Sequence, residues 1–192
     1  LSVVQIPIEP LTDESFAPFG WLLEAGGEPP FFSRPNLDLW RFPYAADAPA
    51  RLQIMRYHRQ PMRFSRLERH LFVTEARAPL NGARAVLVVA GDAESAGTDR
   101  PPSPDTLRAF LIDGAAGVMF WPGVWHGLDC YPLAAHADFI FLSDEATEVE
   151  IEALAAPVSG TRTEVADYQD SHGLVFEIVD PRRLMVPPPT NS

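Results

Sequence analysis

The sequence predicts an all-β-dominated fold, an antiparallel sandwich or barrel with one short helix near its N-terminus. Three observations predict it. Apolar runs are short and either alternate with polar residues or read as fully buried strands. Turn residues separate those runs at regular intervals. Twenty prolines and 12 glycines interrupt the chain too often for long helices. At 192 residues the chain has the length of one domain with a real core, set here at 1–185.

Each element has its own signal. "LTDESFAPFG" (11–20) reads as the helix, with Thr12 or Asp13 as its cap and Pro18 and Gly20 as its end. "RLQIMRYHR" (51–59) alternates as a half-buried strand does. "RAVLVVAG" (84–91) is a strand buried on both faces. "TLRAFLID" (106–113), the turn "GAAG" and "VMFWP" (118–122) follow, and "HADFIFLSD" (136–144) alternates again. The polar, proline-rich "DAESAGTDRPPSPD" (92–105) is a loop, and "VPPPTNS" (186–192) a disordered tail. Residues 145–185, including "LVFEIVD" (174–180), are expected to form a peripheral strand or an oligomer contact.

Composition narrows the function. A net charge of -11 argues against nucleic-acid binding. No run of about 18 apolar residues occurs, so no membrane span is expected. "LSVVQIPIEP" lacks the pattern of a signal peptide, and the single Cys130 makes no internal disulfide, so a cytoplasmic protein is the default expectation. An anionic substrate would need a local cationic pocket against the global charge. Arginines cluster mid-chain, at Arg51, Arg56, Arg59, Arg63, Arg66, Arg69, Arg77 and Arg84, and their planar fork suits carboxylates. For most of them a solvated strand face is the ordinary role.

Two stretches carry candidate chemistry. In "LERHLFVTE" (67–75) Glu68 and His70 lie two residues apart and share one face of a strand, while Arg69 points the other way. Glu75 rejoins that face only across a bulge or turn, or from the next strand. In "GVMFWPGVWHGLD" (117–129) Pro122-Gly123 makes a turn and His126 follows on the next strand, with Trp125 flipped toward the core. Glu68 paired with Arg66 or Arg108, and two ordinary hydrogen-bonded histidines, would account for the same residues without a site. Tyr57 and His58 have no assigned role.

Together the stretches resemble the paired motifs of the cupin superfamily. Glu68-x-His70-x4-Glu75-x6-Gly82 stands for the first motif, with glutamate in place of its first histidine. Gly117-x4-Pro122-Gly123-x2-His126 stands for the second, with Cys130 where an asparagine is usual. The chain further resembles the ureidoglycolate lyase family over roughly residues 3–150, through "PLTDESFAPFG", "WRFPY", "LERH", "TEARAPLNG", "TLRAF" and "GVWH". It departs from that pattern at Pro43, Leu71, Glu75, Arg77, Trp121 and Gly127.

The resemblance implies a cupin-like antiparallel β-barrel (jelly roll) that forms a homodimer. It implies cleavage of ureidoglycolate to glyoxylate and urea, in ureide and allantoin breakdown. It implies a divalent metal (Ni, Mn or Zn) on His70, Glu75, His126 and Glu68, with Glu68, His70 and His126 as catalytic residues. Arg69, Arg108 and Trp125 are the expected contacts to a small anionic substrate, Arg108 ahead of Arg69 because of strand parity. The alternatives are a cupin enzyme for another small hydroxy or keto acid, and a non-catalytic domain that binds a small anion.

Overall fold

The computed structural model describes residues 1–91, 100–154 and 158–180. The expected tail, and most of the expected loop at 92–105, lie outside the described residues.

The first half of the chain holds β1 (Ser2–Pro10), α1 (Asp13–Phe16), β2 (Gly20–Leu23), β3 (Phe32–Arg34), β4 (Leu37–Leu39), β5 (Ala50–His58), β6 (Arg63–Phe64), β7 (Arg66–His70), β8 (Ala76–Pro79) and β9 (Ala85–Ala90). The second half holds β10 (Arg108–Ile112), β11 (Gly117–Phe120), β12 (Trp125–Gly127), β13 (Tyr131–Pro132) and β14 (His136–Asp144). It ends with α2 (Glu145–Leu154), β15 (Thr163–Asp167), α3 (Tyr168–His172) and β16 (Leu174–Val179). The strands read from sequence form within a residue or two of their expected bounds. The N-terminal helix is a single turn. Thr12 caps it reciprocally with Ser15, as its sequence position requires.

Two curled sheets pack face to face. The first runs β15-β7-β12-β9-β10-β1-β16-β6, with β13 added on β9, and the second runs β2-β11-β8-β14-β5. Pairing is antiparallel except at β1, which runs parallel to both β10 and β16. Strand β9 shows why its sequence is uniformly apolar. Ala85, Leu87 and Val89 enter the core between the sheets, against Phe110, Phe120 and Phe139. Val86, Val88 and Ala90 enter a second core on the other face of the first sheet, with Leu67, Trp125 and Phe176.

The described residues of 145–185, which are 145–154 and 158–180, correct the sequence expectation. Strand β15 is an edge strand, but β16 lies inside the first sheet between β1 and β6, and its Phe176 is completely buried. The reason is in "LVFEIVD": Phe176 and Ile178 share one strand face and both belong to the second core. Among the described residues no helix is long and apolar enough to cross a membrane.

Two backbone devices set how β8 meets its neighbours. Asn81 and Gly82 both take positive φ, 53° and 68°, in the Asn-Gly turn that carries the chain from β8 to β9. At Gly117 a Cβ would come within 2.8 Å of the Arg77 carbonyl oxygen, so β11 can approach β8 this closely only with glycine.

Candidate active site

Strand parity builds one wall of the site. Glu68 and His70 of β7 point between the sheets, and His126 of β12 is in direct register with Glu68. A Pro122-Gly123 turn then locks the arrangement. Gly123 takes φ 80°, and its N–H donates to the carbonyl of His70 over 2.7 Å. One ligand atom from each of Glu68, His70 and His126 lies within 4.8 Å of the others.

Glu75 faces them from the opposite wall. After His70 the chain leaves the first sheet, and Glu75 leads into β8 of the second. Its carbonyl accepts the N–H of Phe120 over 2.8 Å. Its Oε2 lies 3.2 Å from His70 Nε2 and 3.9 Å from His126 Nε2. Its Oε1 receives both Nε and Nη2 of Arg77, each at 2.6 Å. Arg77 is fully buried, donates its third nitrogen to Cys130 Sγ at 3.4 Å, and lies over the rings of Phe120 and Tyr57.

The electrostatics follow from burial and from Arg77. Burial alone would raise the pKa of Glu75, but the Arg77 guanidinium and the two imidazoles hold its carboxyl far below the usual range. Burial would likewise lower His70, yet its hydrogen bond to Glu75 and that residue's charge leave it raised. His126 goes the other way: burial, with the charge of Arg77, pushes it down to about 3. It is a neutral ring at ordinary pH. Burial raises Glu68 and also Glu148 of α2.

The tautomer of His126 suits a metal, and the ring of His70 is held at its rear nitrogen. His126 Nδ1 lies 3.1 Å from the carbonyl oxygen of Gly127, which can only accept, so Nδ1 carries the proton and Nε2 presents its lone pair. His70 Nδ1 shares a 3.0 Å hydrogen bond with Thr163 Oγ1, leaving its Nε2 on the Glu75 side. Two imidazoles, each supported at its rear nitrogen, with a carboxylate beside them, fit a divalent first-row ion.

A cavity of about 490 Å³ opens from this cluster. Among the described residues, its lining carries four carboxylates (Glu68, Glu75, Asp129, Glu148) and one guanidinium, Arg77, with Tyr57, Met55 and Phe141 as apolar wall.

The structure brings together Glu68, His70, Glu75 and His126, as the sequence expectation grouped them. It does not bring Arg69, Arg108 or Trp125 to the cavity. Arg69 points to the other face of β7, where Glu164 holds its Nε at 2.7 Å and its guanidinium lies over Trp125. Trp125 belongs to the second core. Arg108 is bound by Glu9 and by the Ser15 carbonyl. All three side chains are committed elsewhere, which corrects the expected substrate contacts and agrees with the strand parity that turned Arg69 and Trp125 away from the site. Sequence reasoning noted Arg77 as a departure from the family pattern near the pocket and gave it no role in the site. The signal was available, because Arg77 is two residues from Glu75 and shares its strand face. Glu148 and Thr163 carried no such signal, since they reach the site from distant elements.

Comparison with known proteins identifies a family. A family model described as ureidoglycolate lyase matches residues 3–160. A ureidoglycolate lyase of Brucella abortus biovar 1 (strain 9-941) is 34% identical over 164 residues, covering 79% of this chain and 90% of that protein. One from Pseudomonas syringae pv. syringae (strain B728a) is 37% identical over 130 residues, covering 62% of this chain and 71% of that protein. Among solved structures, RmlC from Streptococcus suis in complex with dTDP-D-xylose aligns at 8% identity and a TM-score of 0.33, over 50% of this chain and 44% of that one. That last likeness is too partial to bear on function.

Proposed function

This chain belongs to the ureidoglycolate lyase family, and from that premise we propose that it cleaves ureidoglycolate into glyoxylate and urea in the cavity lined by Glu68, His70 and Glu75, with His126 directly behind them. The observation that carries the proposal is the convergence of Glu68, His70 and His126 within 4.8 Å at the cavity wall. The reaction is an elimination. The carbinol O–H loses its proton, the C–N bond breaks with its electron pair leaving on nitrogen, and that nitrogen gains a proton.

His70 and His126 would hold a divalent metal through Nε2, with Glu68 completing the set and Glu75 beside them. When bound, such an ion polarises the substrate's oxygens and makes its hydroxyl more acidic. The balance of charge supports a cation: an anionic substrate entering among four carboxylates and one guanidinium would otherwise be repelled. Ni, Mn and Zn all suit mixed imidazole and carboxylate donors.

The chain's own residues supply the rest. Glu75 is kept ionised by Arg77, which makes it a poor proton carrier and a fixed negative charge next to both imidazoles. Glu148, outside the three-residue cluster and with its pKa raised by burial, is suited to take the hydroxyl proton and return it to the leaving nitrogen. Tyr57, Met55 and Phe141 line the remaining cavity wall and keep the reacting region small.

The test is product stoichiometry with racemic ureidoglycolate. Elimination yields one urea per glyoxylate from a single enantiomer. Ammonia in place of urea, or no glyoxylate at all, would overturn the assignment.

A further inference from the structure

The family match ends at residue 160, but the first sheet does not. Immediately beyond it, the backbone of 161–163 closes around one carboxylate, Glu150 of α2. Glu150 accepts the N–H groups of Thr161, Arg162 and Thr163 at 2.7, 2.8 and 2.9 Å, and the Thr161 hydroxyl at 2.6 Å. Arg162 adds bonds to Thr147, Asp144 and Asp47. The chain emerges from this anchor as β15 and lies along the strand that carries the site. Thr163 pairs with His70, Glu164 with Arg69 and Val165 with Glu68. The N–H of Leu71 donates to the Arg162 carbonyl over 2.8 Å, which extends the ladder past His70.

We propose that Thr163, delivered by this anchored segment, is the positioning residue of His70. Its hydroxyl is the polar atom at the rear of the imidazole, 3.0 Å from Nδ1, and the residue is 2% exposed. Water does not replace it at that depth. The Thr163 hydroxyl can donate to Nδ1 or accept from it, so it serves the ring in either tautomer; it holds the imidazole's angle with Nε2 toward the cluster, and the ring cannot rotate without breaking the bond. The same strand holds the other face of β7, through Glu164 on Arg69. A segment beyond the family match thus serves the site by fixing the angle of one of its ligands. The metal role of His70 rests on the function proposed above. The hydrogen bond does not.

The experiment compares Thr163→Val, which keeps the shape and removes the oxygen, with Thr163→Ser, which keeps the oxygen. In metal-free protein labelled at histidine with nitrogen-15, the ring nitrogen shifts of His70 are expected to move in Thr163→Val and to stay with the wild type in Thr163→Ser. Zn²⁺ affinity measured by calorimetry is expected to fall about 10–100-fold in Thr163→Val and to recover in Thr163→Ser. Unchanged His70 shifts in Thr163→Val would overturn the proposal, and so would Zn²⁺ affinity within about twofold of the wild type. If the wild type itself takes up no Zn²⁺, the metal role falls and the His70 shifts alone decide the positioning role. If Thr163→Val does not fold, Thr163→Ser is set against Thr163→Ala by the same two readouts, and equal behaviour of that pair overturns the proposal.

Discussion

Strands β7 and β12 have two faces that differ in what their polar groups are free to do. On the face between the sheets, Glu68, His70 and His126 turn their reactive atoms toward one another, and Glu68 and His70 line a cavity. On the opposite face, one residue away in sequence, Leu67 and Trp125 are core and Arg69 is tied to Glu164. Charge and burial do not separate the two sides, because Arg69 behind β7 and Arg77 on β8 across the site are both buried arginines paired with glutamates. What separates them is the partner's surroundings. Glu75 is as buried as Arg77, whereas the side chain of Glu164 is 31% exposed and can return to water.

That comparison sets the scale of four substitutions. The largest effect on stability is expected from Arg77→Met, which leaves Glu75 charged and unpaired in the interior. Breaking a buried pair in this way costs about 3–5 kcal/mol, readable as a lower urea midpoint. A midpoint near that of the wild type would mean that the histidines compensate Glu75 without Arg77. Next comes His126→Ala, which removes a member of the three-residue cluster. Activity should fall by more than about 100-fold, beyond what loss of a supporting residue costs, with a matching loss of metal in the purified protein. If metal and turnover both persisted, the cluster would not be the site.

Arg69→Met should be milder on both counts. The freed Glu164 rehydrates, so stability drops by about 1–2 kcal/mol, and the substrate's KM should barely move. A large rise in KM would restore Arg69 as a substrate contact and break the distinction between the faces. The smallest effect concerns pH. Burial would raise the pKa of Glu150, but its hydrogen bonds to 161–163 outweigh that and hold it at about 2, below the ordinary value of 4.5. A depressed folded-state pKa gives stability that is present above about 4.5 and is lost as pH falls toward 2. The gap in urea midpoint between wild type and Glu150→Gln should therefore be widest near neutrality and shrink through that window. A gap that widened on acidification would contradict the anchoring role.

Much of this architecture was legible because strands advertise themselves through alternation. The two cores of β9 are written in six consecutive apolar residues, and the grouping of Glu68 with His70 follows from an interval of two. The Pro122-Gly123 turn that seats His126 is likewise a local signal. Three things were not local. The parallel pairing of β1 depends on which strands the core leaves open beside it, which no single stretch states. Glu75 needed the knowledge that the chain changes sheets after His70. Thr163 reaches the rear of His70, and Glu148 the cavity, from segments 93 and 78 residues beyond His70, and they depend on the register of β15 and the placement of α2. The mistaken substrate role for Arg108 has the same origin, since its partner Glu9 lies 99 residues away.

The measurement that tests the account most directly is glyoxylate release by metal-stripped protein, with Ni, Mn, Zn or nothing added back. The account predicts no turnover without metal and restored turnover of one enantiomer with at least one of the three ions. Full activity in the stripped protein would contradict the role given to Glu68, His70 and His126, and silence with every ion would contradict the substrate.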